Sequence, residues 1–147
     1  MVLETLQFIA TVSSGLFAGA ALYITVVEHP VRAVLDTRAA ASQWAPSYQR
    51  ATWMQAPLAI LGLLSGVGAC LLGGGLGWLV AALIIGAVVP ITFKIIMPTN
   101  QQLLEPDRDL SSSETRALLN RWGRLHALRT VMSVSAFAGF VYLSYGA

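Results

Sequence analysis

An all-α, membrane-spanning four-helix bundle is the fold this sequence predicts, and three observations predict it. Charged residues make up only 11% of the chain and hydrophobic ones 56%, where a soluble domain carries about a quarter charged. Uncharged runs extend from Thr5 to Val27 and from Ala51 to Phe93, 23 and 43 residues long, and about 20 apolar residues suffice to cross a bilayer. The charges gather in two polar stretches, His29 to Arg50 and Thr99 to Arg121. The 147 residues suit a single integral membrane domain.

The first span is expected over residues 3–28. Its only early charge is Glu4. With no basic leader and an apolar run too long for a signal peptide, it reads as a retained helix. Pro30 is expected to stop it, and the polar stretch that follows has room for a short interfacial helix. The second uncharged run is too long for one crossing of a layer about 30 Å thick. Gly73-Gly74-Gly75 divides it into spans over 53–72 and 76–97. Pro90 is expected to kink the third helix and Pro98 to end it. Ser111 with Glu114 reads as a capping box, so a helix should begin near Ser112 and run into the fourth span, 123–145. Arg124 and Arg129 on that helix must snorkel or face protein.

This order puts both polar loops at one end of the bundle. All eight arginines lie in or beside those loops, and Lys94 lies one turn away. The positive-inside rule places the loops in the cytoplasm and both termini on the other side. Gly15/Gly19, Gly62/Gly66 and Ser135/Gly139 are each four apart, a spacing that lets helix backbones approach in lipid. Cys70, the single cysteine, reads as a packing residue.

The polar residues of the spans converge at the loop end. His29 closes the first helix and His126 opens the fourth; Trp53 and Gln55 open the second. Lys94 and Asn100 end the third, Lys94 either as a snorkelling cation or as a substrate-binding residue. Leu118, Trp122, His126, Arg129, Ser133 and Phe137 step by three or four and share a helix face. Gly15, Gly19, Leu22, Val26 and His29 form a second such stripe. Packing stripes turn inward, so His29, Asn100, Trp122, His126 and Arg129 are expected to line one pocket open toward the loops. Arg129 then needs an acid, and Glu28 is nearest by depth. Arg32, Arg38, Arg50, Arg108, Arg116 and Arg121 read as interfacial cations.

Glu28-His29-Pro30-Val31-Arg32, Met97-Pro98-Thr99-Asn100, and Arg121-Trp122 followed by His126 and Arg129 together give a resemblance over nearly the whole chain. The sequence resembles a family of small membrane proteins that includes the fungal anthrone oxygenases. The resemblance implies a four-helix membrane fold and, in members with known roles, cofactor-independent oxidation of a tricyclic anthrone to an anthraquinone by dioxygen. In that picture His126 or His29 is the base. Arg129 and Asn100 hold the oxyanion. Trp122 forms a wall against the flat substrate, with Glu28 and Lys94 beside it.

Two other classes remain open at this stage. His29 and His126, on different helices at one depth, suit haem iron, or with Glu28 a metal ion. A non-catalytic protein that binds a lipid or a partner subunit also fits the small-residue faces and loop arginines. No basic run interleaved with aromatics suggests nucleic acid. No P-loop, dinucleotide fingerprint, HExxH or CxxC occurs, and four helices without an inverted repeat are few for a transporter.

Overall fold

A computed structural model describes residues 1–146 and is built from four long helices: α1 (Val2–Ala33), α2 (Thr37–Gly74), α3 (Leu76–Leu103) and α4 (Ser113–Tyr145). Each packs against its neighbours in chain order, and α4 closes back on α1. The pairs α1/α3 and α2/α4 lie on the diagonals of an up-down-up-down bundle.

All four helices are long and apolar enough to cross a membrane. Their outer faces carry large apolar side chains that a water-soluble bundle would hide, among them Phe8, Leu16, Leu64, Leu83 and Val131. The chain is an integral membrane protein. At 1.5 Å per residue the 32 to 38 residues of α1, α2 and α4 overshoot a hydrocarbon layer of about 30 Å. The excess turns lie at the loop end and carry the polar residues.

The helices are longer than the expected spans because the prolines do not stop them. Pro30 lies inside α1 and Pro98 inside α3. A proline ring clashes with the carbonyl four residues back and offers no N–H. Both helices answer with a wide π turn just before the proline, over Ile24–Glu28 and Thr92–Ile96. There the N–H of His29 donates to Ile24 O, and that of Met97 to Thr92 O. The polar stretch before Trp53, expected to have room for a short interfacial helix, is helical from Thr37 and continuous with the second span. The Asp36 side chain accepts from Ala39 N at 3.0 Å, caps α2, and the helix runs on through Pro46 and Pro57.

The triple glycine makes the turn as expected. Gly73 and Gly75 have φ of +93° and +91°, which favour glycine. The cap of α4 falls one residue later than Ser111, with Ser112 Oγ accepting from Thr115 N at 3.1 Å. The two loops meet at one end of the bundle. Arg116 donates to Leu35 O at 2.6 Å and to Thr37 Oγ1 at 3.1 Å, and Arg38 Nε donates to Ser111 Oγ at 3.1 Å.

Close approach operates at three of the four glycines named above in α1 and α2. A Cβ at Gly66 would lie 2.7 Å from Ala82 Cβ, one at Gly62 2.8 Å from Ser14 Oγ, and one at Gly15 2.8 Å from the Phe137 ring. Gly19 is different, with nothing within 4 Å of its Cβ position. Leu22 and Val26 are exposed as well. The expected α1 stripe is therefore a lipid face apart from Gly15 and His29. The packed face runs through Ala10, Phe17, Ala21 and Ile24. In a straight helix His29 would sit roughly 80° away from Ala21, at 100° per residue. The π turn adds a residue between them and brings His29 back toward the packed face. Cys70 is partly buried against the apolar core.

Candidate active site

The loop end gathers polar and aromatic side chains from all four helices. Trp122 of α4 is at its centre. Its ring centroid is 4.9 Å from that of His126, with the planes inclined by 29°, and 5.7 Å from that of His29. Trp44 meets it edge-on at 5.8 Å and stacks in turn on Tyr48 at 5.1 Å. The Arg32 guanidinium lies 5.6 Å from the Trp122 centroid. His29 reaches this layer because residue 123 is glycine: a Cβ there would lie 2.0 Å from His29 Nε2.

His126 is 3% exposed and its tautomer follows from a hydrogen-bond chain. His126 Nδ1 is 3.1 Å from Thr25 Oγ1, which is 2.7 Å from Thr130 Oγ1. Thr130 donates its one hydroxyl proton to a carbonyl, Ala21 O at 3.1 Å or His126 O at 3.3 Å. Thr25 must then donate to Thr130 and accept from His126, which puts the imidazole proton on Nδ1. The Nε2 lone pair is left free.

His126 lines a small polar cavity with Arg32, Trp44, Tyr48, Gln55, Trp122 and Arg129. It has room for little more than one water molecule. Four of these residues carry a buried N–H donor with no acceptor in the protein: Arg32 Nη1, Trp44 Nε1, Gln55 Nε2 and Arg129 Nε. An unsatisfied buried donor costs about 1–3 kcal/mol. A cavity rich in donors and poor in acceptors suits an oxygen that carries negative charge.

The expected pairing of Glu28 with Arg129 does not form. Glu28 Oε1 accepts from Arg32 at 2.8 Å, Gln43 at 2.9 Å and Ser47. Arg32 is four residues along the same helix, within easy reach, and is 3% exposed instead of interfacial. Arg129 donates to Gln55 Oε1 at 2.9 Å and lies over the Phe17 ring at 5.5 Å. Among the described residues it has no carboxylate partner. The other expected residues divide. Trp122, His126 and Arg129 line the cavity, and His29 touches it through Trp122. Asn100 is fully buried, with neither side-chain polar atom partnered. It lies on the face of α3 that carries Ile96 and Leu103 and is not part of the cavity wall. Lys94 is exposed and lines no described cavity, and Trp53 is 84% exposed, as interfacial residues are.

Sequence reasoning missed Arg32, Trp44, Tyr48, Thr25 and Thr130 as site residues. Trp44, Tyr48, Thr52 and Gln55 step by four, four and three, a helix stripe hidden while residues 29–50 were read as a connection. Glu28, the carboxylate of the metal reading, has its Oε1 held by three donors. No group of three or more His, Cys, Asp and Glu able to hold a metal ion occurs among the described residues.

The family model for anthrone oxygenase matches residues 44–139. The anthrone oxygenase tpcL of Aspergillus fumigatus is 32% identical over 137 residues, 85% of this chain and 84% of that protein. This chain belongs to the anthrone oxygenase family. The family match takes in Trp44, Tyr48, Gln55, Asn100, Trp122, His126 and Arg129. In this anthrone oxygenase family member, α1 adds Thr25, Glu28, His29 and Arg32 from outside the matched interval. No solved structure matches the chain.

Proposed function

We propose that this protein oxygenates a lipophilic, anthrone-like aromatic at the membrane interface, with dioxygen as oxidant, His126 as general base and no resident cofactor. The observation that carries the reading is the cavity itself. A buried imidazole with a free Nε2 stands beside Arg129, which no carboxylate neutralises, and among N–H donors that lack acceptors.

An anthrone has an acidic CH2 between two rings, opposite a carbonyl. His126 Nε2, whose lone pair is free, takes one of its protons. The electron pair delocalises onto the carbonyl oxygen, and Arg129 stabilises that oxyanion. The anion passes one electron to dioxygen, and the radical and superoxide combine through a new C–O bond. The imidazolium returns its proton to the peroxide. Loss of the second C–H proton with cleavage of the O–O bond then yields a new carbonyl and water. One dioxygen is consumed, one of its atoms stays in the product, and no outside reductant is needed. Arg32, Trp44 and Gln55 supply donors for the charged oxygen species. Thr25 holds the imidazole in the productive tautomer, and Trp122 stacks against it. His29 and Asn100 complete the polar layer around this centre.

The reading also places the charged loops in the cytoplasm and both termini opposite, on the distribution of arginines. Substrate then comes from the bilayer, where a poorly soluble tricycle partitions. Dioxygen uptake by the purified protein with dihydroxyanthrone tests the reaction. Wild type is expected to consume dioxygen and form the anthraquinone. His126→Ala should lower kcat by about 10²–10⁴ while the protein stays folded. Wild-type turnover that His126→Ala leaves intact would remove His126 from the mechanism.

A further inference from the structure

The polar cavity is too small for three fused rings, so the substrate must lie elsewhere and reach in. A second, apolar cleft of about 460 Å³, counted to its open mouth, lies between α2 and α3. It shares Tyr48, Thr52 and Arg129 with the polar cavity. Phe17, Ala59 and Val88 form its buried floor. Thr52, Ala56 and Phe93 at its mouth are exposed, Phe93 by 63%. Apart from Phe17, Tyr48, Met97 and Arg129, its lining comes from the uncharged run Ala51 to Phe93, so the mouth faces lipid. The cleft exists because Ala56 and Ala59 present only methyl groups to α3, where the π turn Thr92–Ile96 forms the neighbouring backbone.

We propose that this cleft is the ring-binding slot of the substrate and its doorway from the bilayer. A planar fused-ring phenol or enol enters end-on between Ala56 and Phe93, lies over Phe17, and sets its oxygen against Arg129. The chemistry of the lining selects that class. The walls are apolar, the Phe17 ring is flat, and the one cation at the inner end has no carboxylate partner among the described residues. The assignment rests on the oxygenase reading for the reaction but not for the binding.

Binding of dihydroxyanthraquinone to the vesicle-reconstituted protein, followed by quenching of tryptophan fluorescence, separates the two. Ala56→Phe fills the mouth from α2, and Val89→Trp fills it from α3, so a folding defect in one variant does not decide the outcome. Each is expected to weaken binding tenfold or more and to raise KM for dihydroxyanthrone with kcat kept. Phe93→Ala, which widens the mouth, should bind at least as well as wild type, and His126→Ala should bind normally. Wild-type affinity in both filled variants would overturn the doorway whatever the turnover. Binding that the filled variants lose, in a protein that never consumes dioxygen, would instead sink the oxygenase reading and leave the cleft standing.

Discussion

At the glycine end of the bundle Ala69, Ala82, Ala136 and Phe140 have no exposure, and the buried polar groups near them are serine hydroxyls such as Ser13 and Ser65. At the loop end Arg32, Gln55, Asn100 and His126 are buried almost as completely, and several of their polar atoms have no partner. In lipid no hydrophobic effect drives helix against helix, so the first end is held by close contact at Gly62, Gly66 and Gly77. The second end gives up stability, since each orphaned donor detracts about 1–3 kcal/mol. Tight packing at one end, where Ser14 Oγ is the one orphaned buried polar atom among the described residues, holds the helices while the other keeps many groups unpaired for a ligand. Substitutions at the two ends should therefore separate stability from activity.

The sharpest separation is expected at Arg129. Arg129→Met should lower kcat about 10²–10³-fold, as loss of an oxyanion donor does, with thermal stability in detergent equal to wild type or higher. A variant that unfolds instead would make Arg129 a structural cation and erase the contrast. Next comes Gly66→Leu, which forces α2 away from Ala82 and Phe140. A loss of about 3 kcal/mol is expected, read as a lower unfolding temperature, with KM and kcat normal in the fraction that folds. Gly123→Ala follows, because its methyl would collide with His29 Nε2. Displacing His29 from Trp122 should cost several-fold in activity and little in stability; equal activity would place His29 outside the site. The smallest effect is predicted at Gly19. Gly19→Leu points into open space and should change neither property, although its spacing from Gly15 suggested a packing motif.

That last case shows what the sequence reveals and what it hides. Helix number, the glycine turn, the fourth helix and the placing of Trp122, His126 and Arg129 on one face of it all follow from local rules of charge, periodicity and capping. The α1 stripe does not: Gly19 and Leu22 fall on the lipid side of a regular helix, and the π turn at Ile24–Glu28 breaks the constant 100° per residue that joined them to His29. The Glu28–Arg129 pairing was argued from depth alone, whereas Arg32 sits one turn away on the same helix. Trp44 and Tyr48 were hidden because the density of charge between His29 and Arg50 reads as a connection, although Asp36 caps a helix that runs straight through it. In the first and last of these cases a backbone feature forced by proline or capping, which composition does not report, decides which side chains face inward.

The proposed reaction turns on deprotonation by His126 before dioxygen reacts. Mixing dihydroxyanthrone with the protein under anaerobic conditions, and following the long-wavelength absorbance of the anthrone anion, isolates that step. The anion is expected to accumulate on wild type, to survive until dioxygen is admitted, and to be absent on His126→Ala. Equal anion formation on His126→Ala, or none on an active wild type, would contradict the proposed step.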